Sequence, residues 1–291
     1  MKWSIPKRHL QLILLDGSVD LKERKILSNL DINYKVEFNA QATVSGAIQE
    51  ANITIYGLRR ETMNKLGTSY TTFTKNQIRN RIELIAGYDN KYAMIFAGNI
   101  IEAIPNLENA NYNIQIKAMS SFSTMLETPK SYSFKGSVDL GVILSTLAKD
   151  YGYSFRSGLE TPVFVQNYSG SDLNLQGHLR KLARITGLDI YLYQNMLIVK
   201  QKNGIVTSFG KFVINKNNMI GSPRPTNVGC DVRVRLDPSV ITGQLVDLQT
   251  QKFTELNGEK YAVQTITHQC DTKGSAWFTH LNLYRREILE K

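Results

Sequence analysis

The hydrophobic pattern changes period twice along the 291 residues. In the N-terminal third, LDINYKVEFN alternates strictly. Leu30, Ile32, Tyr34, Val36 and Phe38 fall on one side, and Asp31, Asn33, Lys35, Glu37 and Asn39 on the other. Successive side chains of a strand point to opposite faces, so the pattern predicts one long, half-buried strand. ANITIYGL predicts another, followed by a short helix in RRETMNKL that Gly67 can end. RIELIAGYDNKYAMIFAGNIIEAI and NYNIQIKAMS predict further strands, separated by turn-rich stretches at 87–90 and 105–111. Many strands with one brief helix suggest a β-barrel or sandwich for residues 1–130.

The middle, residues 131–205, reads as a small α/β module. SVDLGVILSTLAKDYGYSF and LNLQGHLRKLARITGLDIYLY are each helical and then extended, and they resemble each other at an offset of 35 residues. Leu140, Leu144, Leu147, Ala148 and Gly152 correspond to Leu175, Leu179, Leu182, Ala183 and Gly187. The leucine spacing gathers the apolar residues on one helix face, and the glycine suits a helix C-terminus. The second copy continues into a hairpin, LDIYLY-QN-MLIVKQ, with Asn195 in the turn.

Residues 206–291 return to strands. Val232, Val234 and Leu236 alternate with Arg233, Arg235 and Asp237 until Pro238 breaks the run. KYAVQTITHQC and AWFTHLNLY alternate again, joined by DTKGSA, where Gly274 permits a positive φ. INKNNMIGSPRPTNVG, before them, reads as exposed loop. The hairpin holds His268, His280, Cys270 and Asp271, so its register matters. If Cys270 opposes Trp277, His268 faces Thr279 and His280 lies on the other face. If Cys270 opposes Phe278, the two histidines are cross-strand neighbours beside Cys270. A one-residue slip exchanges these arrangements, and the sequence leaves both open.

Even the second register offers three metal ligands, whereas structural zinc takes four, usually at CxxC-type or HxxxH-type spacing. Neither spacing occurs, so no metal, cofactor or catalytic residue is expected. GxSxG, HExxH, GxxxxGK[ST] and GxGxxG are all absent. His9 and His178 have no nucleophile near them in sequence, and Glu102 and Asp247 represent carboxylates that only the fold can pair.

Composition narrows the class. Hydrophobic residues make up 42% and charged residues 21%, as expected of a folded, soluble chain. No apolar run is long enough to span a bilayer. Leu10–Leu15 is too short for a secretion signal, and Asp16 follows it, so the stretch reads as a first strand and synthesis in a cytoplasm without export is expected. Two cysteines make no disulfide framework. The net charge of +10 divides as +4, +3 and +3 over the three segments, with no block of like charges. This describes a mildly basic surface rather than a nucleic-acid arm. The fourteen tyrosines and eleven phenylalanines fit strand core, and no RNP-type signature accompanies them.

Three stretches together resemble one family, the baseplate hub proteins of contractile phage tails, related to the late-control D proteins and the hub part of type VI secretion spikes. In ANITIYGLRRETMNKL a strand ends in an IYxL turn and a short helix begins. LIAGYDNKYAMIFAGNIIEA carries AGY and then IFxGxI. VRVRLDPSVITGQLVDLQT precedes the long hairpin with its WF after the turn. The resemblance covers nearly the whole chain.

It implies an α+β, mainly β fold: tail-tube-like β-barrels at 1–130 and 206–291 flanking the module at 131–205. It implies a non-enzymatic homotrimer whose six barrels form a pseudo-sixfold ring. The ring would join the hexameric tail tube, or a tube-initiator protein, to the trimeric central spike. Tape measure and wedge proteins would be further partners, DNA only a passing cargo, and the virion baseplate the location, with no membrane insertion. FAGNIIEA around Gly98 and TGQLVDLQ around Gly243 are faintly alike, as two copies of one barrel would be. The chain ends soon after the hairpin, so a separate spike is expected. Trp277, Phe278, Tyr284, Arg285 and Arg286 are the candidate partner-interface residues. A cell-wall-active or glycan-binding tail module and an OB-like nucleic-acid binder are the alternatives.

Overall fold

The computed structural model describes residues 6–16, 25–43, 49–67, 80–107, 112–120, 129–202 and 204–285. The first-lobe strands are β1 (Arg8–Leu15), β2 (Ile26–Asp31), β3 (Val36–Thr43), β4 (Glu50–Tyr56), β5 (Arg81–Tyr88), β6 (Lys91–Asn106) and β7 (Asn113–Met119), with helix α1 at Arg60–Leu66. Alternation succeeds in most of them: β1, β3, β4 and β7 bury every second residue. It misleads at 30–39, where the expected single strand is β2 and β3 joined by a turn. The Asp31 carboxylate accepts from the Asn33 backbone N–H at 3.0 Å, a local bond that folds the chain back in spite of the alternating pattern.

The middle segment comprises β8 (Lys130–Asp139), α2 (Leu140–Asp150), β9 (Ser154–Ser157), β10 (Phe164–Leu173), α3 (Leu175–Thr186), β11 (Asp189–Tyr193) and β12 (Met196–Lys200). The sequence repeat is a structural one: strand, polar cap, helix, glycine, strand. Asp139 and Asn174, 35 residues apart, each accept a first-turn N–H, from Gly141 at 2.7 Å and from Gly177 at 2.9 Å. Gly152 and Gly187 then leave the helices with φ of 75° and 71°. The β11–β12 turn takes its positive φ at Gln194.

The final strands are β13 (Lys211–Ile214), β14 (Arg224–Thr226), β15 (Gly229–Arg235), β16 (Leu245–Leu248), β17 (Tyr261–Asp271) and β18 (Trp277–Arg285). They do not form a separate sheet. One 13-stranded sheet runs β14-β15-β18-β17-β3-β4-β7-β6-β5-β1-β2, with β13 and β16 joined beside β17. Strand β17 divides its free edge: Tyr261 and Ala262 pair with β16, while Thr265 to Asp271 pair with β3, from Thr265↔Thr43 to Asp271↔Glu37. The expectation of barrels is therefore met only coarsely. The fold is mainly β and antiparallel, but among the described residues no barrel closes, and the path ends at β2 and β14. Pro225, which has no N–H to offer, sits in the terminal strand β14.

The buried side chains form three clusters. The first fills the N-terminal lobe but includes Leu236, Cys270 and Trp277. The second fills the C-terminal lobe but includes Ala42, Tyr191, Tyr193 and Ile198. The third lies between α2, α3 and the module's strands. Hydroxyl groups bolt the module to the C-terminal lobe: Tyr191 donates to the Thr242 carbonyl at 3.1 Å and Tyr193 to that of Val240 at 3.2 Å. Gly98 and Gly243, alike in sequence context, are not equivalent. Gly98 lies inside β6, where a Cβ would strike the Met119 carbonyl, whereas Gly243 has a φ of 81° before β16.

The glycines give a sharp contrast. Nothing lies within 4 Å of a Cβ built on Gly187, so only its backbone opposes substitution. Gly187→Ala is expected to lower stability by about 1–2 kcal/mol. Gly67 ends α1 at a φ of −55° with its left-handed freedom unused, and a Cβ there would meet only the Met63 carbonyl closely, at 3.3 Å, so Gly67→Ala is expected to cost less than Gly187→Ala, about 0.5 kcal/mol. Urea unfolding of both variants tests the contrast, and equal losses would contradict it.

Candidate functional site: the C-terminal hairpin and the outer sheet face

In the β17–β18 hairpin Cys270 opposes Trp277 and His268 opposes Thr279. The histidines therefore lie on opposite faces, His268 buried and His280 exposed. The His268 Nδ1 is 2.9 Å from the Thr279 hydroxyl, which also accepts the Asp237 N–H at 3.2 Å. Burial pushes the Cys270 thiol well above its ordinary range and the Cys230 thiol up to about 12, so both stay protonated and unreactive. Among the described residues no three His, Cys, Asp or Glu side chains gather to hold a metal ion. Gly274 does not take a positive φ; what it provides is room for the Asp271 side chain. A Cβ there would lie 2.2 Å from the Asp271 carboxylate.

The candidate interface residues divide by face. Trp277 is 2% exposed. Its indole N–H donates to the Gly87 carbonyl at 3.2 Å, and its ring meets Phe38 edge-on. The chain's own N-terminal lobe thus covers it, and it is not available to a partner's surface. Phe278 and Tyr284 are half-buried on the opposite face, Phe278 beneath the Arg233 guanidinium at 4.4 Å. The Arg285 Nε donates to Glu259 at 3.0 Å. Arg286 lies outside the described residues.

Arg8, which sequence patterning did not single out, clamps the hairpin tip. Its guanidinium donates to the carbonyls of Gly274 at 2.6 Å and Asp271 at 3.2 Å, and lies 5.3 Å from the Trp277 ring. Only the alternation of β1 hints at it, and alternation cannot say what a long side chain will reach.

The hairpin's register carries an exposed row across six strands. Arg235, Phe278, Gln269, Asn39, Asn52 and Lys117 stand directly opposite one another in turn. A second row runs Arg233, His280, Thr267, Gln41, Glu50 and Met119. On β17, β3 and β4 this face presents Thr265, Thr267, Gln269, Asn39, Gln41, Thr43, Asn52 and Thr54, with Glu37, Glu50 and Asp271 at its margin, where Lys35 pairs with Glu37 at 3.2 Å. A shallow depression of about 310 Å³ lies among Asn39, Asn52, Thr54 and Gln269. Amides and hydroxyls can both donate and accept hydrogen bonds, so the face suits polar contact.

The remaining sequence candidates have structural surroundings. The His178 Nε2 donates to the Lys130 carbonyl at 3.0 Å, which leaves Nδ1 to accept the Tyr168 hydroxyl at 2.7 Å. His9 stacks on Tyr92, with centroids 3.8 Å apart. Glu102 stands opposite Lys117 on β7, whereas Asp247 on β16 pairs with Lys211 at 3.1 Å, so the two carboxylates face basic partners in different parts of the sheet. Lys200, which patterning does not single out, is only 1% exposed and lies 2.7 Å from Asp189 across the β11–β12 ladder.

Burial alone lowers the His268 pKa from 6.5 to about 4. Between those values the unfolded chain binds a proton that the folded chain refuses, so stability falls as the pH falls through this window. The loss approaches about 3 kcal/mol near pH 4. His268→Gln lacks this component. The stability difference between parent and variant should therefore shrink by that amount from pH 7 to pH 4, and a constant difference would contradict the assignment.

Comparison with known proteins agrees with this architecture. Residues 14–283 match the baseplate hub gp41 family. No curated protein matches by sequence. A 43 kDa tail protein of prophage MuSo2 from Shewanella oneidensis superposes with a TM-score of 0.60 at 10% identity, covering 95% of this chain and 98% of that one. A tail protein from Neisseria meningitidis MC58 does so with a TM-score of 0.60 at 7% identity, covering 97% of both chains. The E. coli c3393 protein, a type VI secretion component, gives a TM-score of 0.54 at 6% identity over 86% of this chain and 73% of its own. At such identities the structures establish a shared fold, and the match over 14–283 establishes the family: the chain belongs to the baseplate hub gp41 family of phage tail proteins.

Proposed function

We propose that the chain is a non-enzymatic hub of a contractile phage baseplate and acts as a homotrimer. Three copies, each with two tube-like lobes, form a pseudo-sixfold ring between the hexameric tail tube, or its initiator, and the trimeric central spike. The ring leaves a channel for DNA. Tape measure and wedge proteins are further partners. In this reading residues 1–130 and 206–291 supply the lobes and 131–205 the module between them, with the final hairpin shared.

The observation that carries the reading is the single sheet passing through both lobes by way of β17 and β3. A pseudo-sixfold ring needs the two lobes of each chain held at a fixed relation. A backbone ladder supplies that relation, and a flexible linker would not. The amide-rich outer face suits a channel wall, because a polyanion passing a cationic surface would be held there. Phe278, Tyr284, Arg285 and Arg286 remain candidates for contact with neighbours, and Trp277 is left to internal packing.

Light scattering behind a sizing column tests the assembly. The purified protein, alone or with its spike protein, is expected at three times the chain's mass, with electron micrographs showing a closed ring. A chain that remains monomeric with the spike present would sink the proposal, and would bring zymography on cell walls and salt-dependent single-strand binding to the front.

A further inference from the structure

The hairpin tip is bonded to the N-terminal lobe at several points far apart in sequence. The Thr272 hydroxyl donates to the Tyr34 carbonyl at 2.6 Å and accepts the Val36 N–H at 3.0 Å, while the Thr272 N–H reaches the Val36 carbonyl at 3.1 Å. The Tyr88 hydroxyl donates to the Trp277 carbonyl at 3.1 Å. Arg8 holds the carbonyls of Asp271 and Gly274. These links join residues 189 to 266 positions apart. Without the hairpin, β3 would lose its ladder from Glu37 to Thr43, and the first core would lose Cys270 and Trp277.

We infer that the N-terminal lobe is an incomplete fold that the last strand pair completes. An open edge strand together with a core lacking its largest side chain, the Trp277 indole, is unstable. The closing contacts form only after a loop of more than 180 residues is closed, so the lobe is finished last although it is made first. A nascent or truncated chain would thus present no finished lobe to a neighbouring copy, and assembly would wait on complete synthesis. The incompleteness of the lobe rests on the fold alone, whereas its consequence for assembly rests on the proposed trimer.

Hydrogen exchange of the full-length chain in a rising series of low denaturant concentrations tests it. Peptides from β1, β3 and β5 are expected to open in the same transition as peptides from β17 and β18. Thr272→Val removes the hydroxyl links at the tip and should speed exchange of both sets by the same factor, about tenfold. Peptides from β9 and β12 in the module should be slowed or speeded far less. If the hairpin opens in either protein while β1 and β5 stay protected, the N-terminal lobe is independent and the inference is overturned. Should the variant not fold, the exchange pattern of the parent chain alone decides.

Discussion

Pairing of β17 with β3 is the constraint on which the rest depends. A backbone N–H or C=O removed from water must find a partner. The seven positions from Thr265 to Asp271 find theirs on a strand more than 220 residues earlier. That ladder turns two lobes into one sheet. It sends Trp277 into the first core, leaves Ala42 to the second, and aligns the exposed rows into one face. The bulge at Val263 and Thr265 marks the place where β17 turns from β16 to β3. One irregular position thus lets a single strand serve both lobes.

Much of this was legible in the sequence because burial on one side of a sheet leaves an alternating trace. Val232, Val234 and Leu236 read inward, and they lie in the two cores. The helix repeat was legible for the same reason, with capping chemistry to frame it. What stayed hidden was long-range. Two registers of the hairpin were equally open until β3 and Gly87 fixed which face is buried, and an apolar Trp277 looks the same whether its pocket belongs to a partner or to its own chain. The turn at Asp31–Lys35 was masked because a reversal inside an alternating run keeps the alternation. Arg8 left only the alternation of its strand, since its role lies in the reach of a guanidinium to carbonyls more than 260 residues away.

The module is attached by different means. Its β11–β12 hairpin sends Tyr191 and Tyr193 into the second core, where each phenol buries a ring and donates to a loop carbonyl. Burial pushes both phenols well above their ordinary range, so they remain donors. Lys200 keeps company with Asp189 beside them, a buried group made tolerable by that carboxylate and by the Gln201 carbonyl. The module therefore rides on the C-terminal lobe, while the two lobes are joined to each other by backbone.

The face formed by β17, β3 and β4 has a consequence for how it meets charged matter. Asn39, Asn52, Gln41 and Gln269 hold no mobile counterions, and the charges around them are of both signs, with Lys35 paired to Glu37 and with Lys117 and Arg235 at the two ends of the row. Binding of a nucleic acid gains most of its free energy, and its sensitivity to salt, from ions that a basic surface and the polyanion set free together. These strands have none to release. A strand of phosphates drawn along these three strands would be held weakly, with little dependence on ionic strength, until it reached the basic residues on β15 and β7.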